Sequence, residues 1–181
     1  MTGRWIAGAV AAALMVLVPV ARAQTGPEVA RTVVTTQNYV SLDPVPRGRI
    51  FEVAVVAKIK PTYHINAHKV LDEFLIPTEI EGQAPAGFRL VSTDYPAGEL
   101  RQFSFSKNKL AVYTGQMIVR LKLEAEAKAP LGVVELPFSL RYQACNNSMC
   151  LPPVKVPVSV HVTVAKAGTP AKAVHPQIFR R

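Results

Sequence analysis

Period-two alternation of side chains constrains this chain more than any other feature. In KVPVSVHVTV, Val156, Val158, Val160, Val162 and Val164 alternate with Pro157, Ser159, His161 and Thr163. Successive side chains of an extended strand point to opposite faces, so this pattern predicts a strand with one face in a core and one in water. VVELPFSLRYQ sets Val134, Leu136, Phe138, Leu140 and Tyr142 against Glu135, Ser139, Arg141 and Gln143. MIVRLKLE sets Met117, Val119, Leu121 and Leu123 against Ile118, Arg120, Lys122 and Glu124, and Phe51, Val53, Val55, Ala57 and Ile59 in RIFEVAVVAKIK make a fourth strand. Weaker strands are expected over 32–39, 74–80 and 88–94, between breaks rich in proline and glycine. No stretch carries a helical stripe with caps. About seven strands separated by turn signals predict an all-β fold, an immunoglobulin-like antiparallel β-sandwich.

The ends of the chain read differently. Arg4, an apolar run from Trp5 to Val20 and the small residues Ala21 and Ala23 predict a secretory signal peptide over residues 1–23, cleaved after Ala23. The run is too short to be expected to span a bilayer, so a periplasmic or secreted protein is expected. Residues 24–46 are expected to form a polar lead-in and first strand, residues 47–164 the sandwich domain, and residues 165–181, AKAGTPAKAVHPQIFRR, a mobile basic tail. The formal charge of +9 is concentrated at the ends, since Gln24 to Val164 carries 15 basic against 12 acidic residues. A body so nearly balanced, without lysines and arginines interleaved with aromatics, is not expected to bind nucleic acid. No Ser/His/Asp arrangement, paired-carboxylate site or phosphate-cradling glycine loop stands out. Neither a cofactor nor a small-molecule substrate is expected.

The only two cysteines are Cys145 and Cys150 in RYQACNNSMCLPPVK. Cys145 ends one predicted core strand and Cys150 begins the next, with the turn formers Asn146, Asn147 and Ser148 between them. In an exported protein an oxidised pair is the resting state. Three readings are open. As a clip, so short a loop stabilises by only ~2 kcal/mol in the chain-entropy model, near the low end for disulfides. As exchanging thiols, the pair would act through thiolate attack and a mixed disulfide, and Arg141 and Lys155 on the flanking strands, or His161 on the polar face of the last one, would lie near enough to influence a thiolate. As a metal site, the two thiolates would combine with His64 and His68 of YHINAH into a Cys2His2 zinc set, but a four-residue histidine spacing puts both rings on one face only in a helix.

RYQACNNSMCLPP at the end of an alternating strand resembles the hairpin of the N-terminal periplasmic domain of DsbD, the thiol:disulfide interchange protein. PTYHINAH and FSFSKNKLAVYTG are similar to that family's aromatic strand motif and cap loop. The resemblance covers roughly residues 47–164. It implies an immunoglobulin-like domain that relays electrons by exchange with thioredoxin-like periplasmic proteins. Cys150 matches the cysteine that forms the mixed disulfide and Cys145 the one that resolves it. Phe105, with Phe103 as the alternative, matches the cap-loop phenylalanine that shields the disulfide, and Tyr63 matches a nearby aromatic with no chemical role assigned. Leu100-Arg101-Gln102 stands where the family carries an acidic pair, so carboxylate tuning of the thiols is not expected here. The chain carries no thioredoxin-like segment and no membrane relay after the hairpin, so a separate membrane electron donor is expected. The rival expectation is an immunoglobulin-like binding module whose hairpin disulfide is only structural.

Overall fold

The computed structural model describes residues 26–180, and the expected signal peptide lies outside them. In chain order the elements are α1 (Gly26–Arg31), β1 (Val34–Val40), β2 (Leu42–Asp43), β3 (Val45–Pro46), β4 (Arg49–Ile59), β5 (His64–Asn66), β6 (Glu79–Glu81) and β7 (Phe88–Asp94). There follow β8 (Glu99–Arg101), β9 (Leu110–Tyr113), β10 (Gln116–Ala125), β11 (Gly132–Tyr142), β12 (Ala144–Cys145), β13 (Val154–Ala165), β14 (Lys172–Ala173) and α2 (Pro176–Phe179).

Two four-stranded sheets, β1-β4-β10-β7 and β3-β13-β11-β6, form the immunoglobulin-like sandwich. The four long alternating segments become its central strands. In the first sheet Phe51, Val53, Val55 and Ala57 of β4 stand opposite Leu123, Leu121, Val119 and Met117 of β10. In the second, Leu136, Phe138 and Tyr142 of β11 stand opposite Val160, Val158 and Val154 of β13. These rows belong to one buried cluster. Directly opposed side chains on one face are the unit of sheet stabilisation, so register and core formation are the same event here.

Tyr142 ties the lead-in to this core. Its ring is fully buried and its hydroxyl donates to the Ala30 carbonyl at 2.7 Å. Burial pushes the phenol up to about 12, so it stays a neutral donor. The lead-in is therefore not a plain polar segment: α1 places Ala30 in the core and Arg31 donates to the Lys155 carbonyl at 2.5 Å.

Three departures from the sequence reading have physical causes. Of the strand expected over 74–80 only the end is a strand, beginning at Glu79. Pro77 lacks an amide donor, and Asp72 accepts from the Phe74 amide through its side chain and from the Leu75 amide through its carbonyl, which makes a turn and leaves Phe74 85% exposed. The segment expected to be a mobile tail returns to the sandwich. β14 pairs with β2, the His175 ring packs edge-on against Tyr39 at 5.1 Å, and Arg120 donates to the Ile178 carbonyl at 3.0 Å. The reason lies in β4, where Ala54 and Val56 are buried on the face away from the main core; a strand buried on both faces reads as a continuous apolar run, as Val53 to Ala57 does. Third, a small sheet, β12-β5-β9-β8, lies outside the two expected layers.

Removing only the Tyr142 hydroxyl leaves the Ala30 carbonyl with the Val33 amide, at 3.1 Å, in place of two donors. Tyr142→Phe is expected to lower unfolding free energy by about 0.5–1.5 kcal/mol, read as a lower urea midpoint at unchanged m-value. An unchanged midpoint would show that water replaces the phenol at that carbonyl.

Candidate functional site

The β11–β13 ladder runs without a break from Gly132↔Val164 to Tyr142↔Val154, then stops. Pro152 and Pro153 supply no amide donors, so the chain on that side cannot extend the ladder. Residues 144 and 145 are taken up by the third sheet instead, with Ala144 opposite Ile65 and Cys145 opposite His64. The Leu151 amide still reaches the Ala144 carbonyl at 2.8 Å, which keeps the two arms of the loop together.

Between them lies a tight turn. Asn146 donates its amide to the Met149 carbonyl at 2.9 Å, and its side-chain Oδ1 accepts from the Ser148 and Met149 amides at 2.8 and 2.9 Å. This local capping, available to asparagine because of its short amide side chain, brings the strand ends together. Cys145 and Cys150 form an antiparallel bridge with their Cα atoms 4.0 Å apart and are joined in a disulfide. The two halves of that bond differ in access: Cys145 is 1% exposed, whereas Cys150 is exposed at the tip.

The loop between β8 and β9 covers the neighbouring position. Phe103 stacks on His64 with ring centroids 4.1 Å apart, and Phe105 stacks on Phe103 at 5.3 Å. Phe105 is the outer ring and is 45% exposed. Ser104 between them donates to the Asn147 carbonyl at 3.5 Å, so loop and hairpin tip touch. Beside the stack is a cavity of about 480 Å³ lined by residues including Lys60, Tyr63, His64, Arg101, Phe103 and Asn147. Tyr63 is half-buried there.

In the sequence His64 reads as a zinc ligand for two thiolates and not as the neighbour of a closed disulfide. It is 3% exposed, and burial together with the Arg101 guanidinium lowers its pKa from 6.5 to about 4. Its place beside Tyr63 in a predicted aromatic strand was the available signal. Its partner Cys145, some eighty residues away, was not readable. Arg101 itself is held by Glu99, at 2.7 and 3.0 Å, and reaches Thr114 at 3.2 Å.

Over most of the chain, residues 30–161, the sequence matches the family described as thiol:disulfide interchange protein DsbD, N-terminal. The chain belongs to that family. No curated protein matches it. Among solved structures it is similar to the Neisseria meningitidis DsbD N-terminal domain in the reduced form, at 18% identity and a TM-score of 0.43, over 79% of this chain and 91% of that one. The DsbD N-terminal match includes both cysteines, His64, Phe103 and Phe105, and leaves β14 and α2 outside.

Other candidates lie elsewhere in this DsbD N-terminal domain. Arg141 binds Glu79 and Glu81 at 2.5 and 2.8 Å, and Lys155 binds Glu81 at 2.6 Å, so both cations are engaged by β6 carboxylates. His161 pairs with Glu135, seven residues along β13 from Val154 and hence roughly 20 Å from the hairpin end. The zinc set does not assemble: both sulfurs are in the disulfide, and His68 stacks on Tyr95 at 3.8 Å while His64 stacks on Phe103. Among the described residues no group of three or more His, Cys, Asp or Glu is placed to hold a metal ion.

The His64 shift has a signed consequence for stability. Its folded value of about 4 lies below its ordinary 6.5, so between these the unfolded chain binds a proton that the folded one does not. Its contribution is complete above about 6.5 and is lost as pH falls toward about 4. Urea midpoints measured across this window should fall with acidification, and His64→Gln should flatten that segment of the curve. A slope that survives the substitution would assign it to other groups.

Proposed function

We propose that this domain is an exported thiol:disulfide interchange module, working in the periplasm, that relays electrons between thioredoxin-like proteins through Cys150 and Cys145. The observation that carries this reading is the unequal exposure of the two halves of one disulfide. An incoming nucleophile finds Cys150 at the surface and Cys145 beneath it. Access and leaving-group position, together with thiolate character, set which sulfur is attacked.

In the reductive half-reaction a thiolate of a reduced partner attacks Cys150 Sγ. The Cys145–Cys150 bond breaks, its electron pair leaves on Cys145 Sγ, and a mixed disulfide joins Cys150 to the partner. The partner's second thiolate attacks the partner sulfur of that bond, closing the partner's disulfide and freeing Cys150. Two electrons, and with them two protons, have passed into the domain. In the reverse sequence Cys150 attacks an oxidised partner and Cys145 resolves the intermediate. A separate membrane protein supplies the electrons in this reading, as the family's relay requires.

The Phe103–Phe105 stack serves as the cover on this site, with Ser104 linking it to the hairpin tip. Phe103 is the inner ring and Phe105 the outer, so both act, and a docking partner displaces them together.

The reduction potential of the Cys145/Cys150 couple is expected within about −120 to −270 mV, the range spanned by exchange proteins. A value well below about −300 mV would mark a structural bond and overturn the reading. Cys145→Ser, which leaves Cys150 free to hold its partner, is expected to accumulate a mixed disulfide with a thioredoxin-like protein. Phe103→Ala and Phe105→Ala should each accelerate reduction by a small thiol by severalfold, with the larger effect at Phe103; equal rates in all three proteins would remove the cover from the account.

A further inference from the structure

His64 occupies the position on β5 directly opposite Cys145. Opposed residues of an antiparallel pair project to the same face with Cβ atoms about 5 Å apart. The imidazole is enclosed beneath Phe103, and its Nε2 is buried without a hydrogen-bond partner. Buried polar atoms are nearly always satisfied, so an exception calls for a chemical reason. The oxidised state supplies one. A disulfide sulfur has no proton to donate and accepts weakly, whereas reduced Cys145 carries either an S–H donor or a thiolate acceptor. Opening the bond would give the imidazole such a partner.

We propose that His64 is the acid–base partner of Cys145, taking its proton when Cys145 resolves a mixed disulfide and returning one when Cys145 departs as a thiolate. The inference rests on the exchange reading given above. In resolution, neutral His64 accepts the Cys145 Sγ proton, and the thiolate attacks Cys150 Sγ. The bond from Cys150 to the partner sulfur breaks and the electron pair leaves on the partner, which takes up a proton from the imidazolium or from solvent. The domain is oxidised by two electrons and the partner is reduced. Opening the disulfide runs the same steps backward, with the proton entering through His64.

The surroundings suit this role. Burial and Arg101 keep the imidazole uncharged while the disulfide is closed, and a Cys145 thiolate beside it would oppose both and raise its proton affinity once the bond opens. The charged and titratable groups facing it are Arg101 from β8, engaged by Glu99, and Lys60 and Tyr63 from the turn before β5, with Lys60 donating to Thr32 Oγ1 at 3.1 Å. The cavity these residues line with Asn147 gives protons a path from solvent. His64 is the acid–base group paired across the ladder from Cys145.

The test uses the mature protein in both redox states. NMR titration of the His64 ring is expected to give different curves for disulfide and dithiol, with an inflection in the dithiol shared by the Cys145 thiolate, as coupled sites require. Identical curves in the two states would overturn the proposal, and this comparison needs no substitution. In Cys150→Ala, where Cys145 is the only thiol, His64→Gln should raise the Cys145 pKa by about one unit, a tenfold loss of thiolate at a given pH. With both cysteines present, His64→Gln should slow release of glutathione from its mixed disulfide with Cys150 about tenfold at neutral pH and displace the pH profile to the alkaline side. An unmoved Cys145 titration or an unmoved profile would also overturn it. A domain that traps thioredoxin-like partners through Cys145→Ser but shows the same His64 titration in both states keeps the exchange reading and loses this one.

Discussion

The pairing of β11 with β13 is the interaction on which both the core and the site depend. Its inner face contributes Leu136, Phe138, Leu140 and Tyr142 from one strand and Val158, Val160, Val162 and Val164 from the other to the buried cluster. Because side chains alternate strictly, a slip of one residue would turn every one of these outward, so burial fixes the register. That register determines where the ladder ends, and hence where the cysteines lie.

At its end the ladder meets Pro152 and Pro153, and the chain changes sheets. This change separates two jobs. The sandwich provides a rigid support, and the small sheet β12-β5-β9-β8 presents the disulfide with a histidine beside Cys145 and an aromatic loop over that histidine. The side chain of buried Asn66 fastens the sheet to the chain around it, donating to the Ile76 carbonyl at 3.0 Å and to Gln143 Oε1 at 3.3 Å. A disulfide held this way has one sulfur buried in the protein and the other exposed at the tip.

Charge around the bond is set by contacts rather than by composition. Arg141 and Lys155 flank the hairpin in sequence, yet Glu79 and Glu81 engage them on β6. Arg101, at the end of β8, is the cation that acts on His64. A cation near a buried imidazole favours its neutral form, which is the opposite of what a carboxylate there would do.

The sequence by itself determined the four long strands, their inward faces, the all-β class and the placing of both cysteines at one hairpin turn. These follow from local rules: the two-residue repeat of an extended chain, and the turn chemistry of asparagine and proline. Tertiary structure alone decided that Cys145 faces His64, that Phe103 and Phe105 stack over that histidine, that Phe74 lies in an exposed loop, and that residues 172–179 return to the outer side of the first sheet. The uninterrupted apolar run in β4 was a legible sign that something covers its second face, but not of what. Strands of two to four residues are too short to show a period, and contacts between residues forty to eighty positions apart leave no pattern in one sequence. They are fixed by how the sheets pack, which is why local pattern located the cysteine pair, while the phenylalanines and tyrosine near it were reached only through the family resemblance.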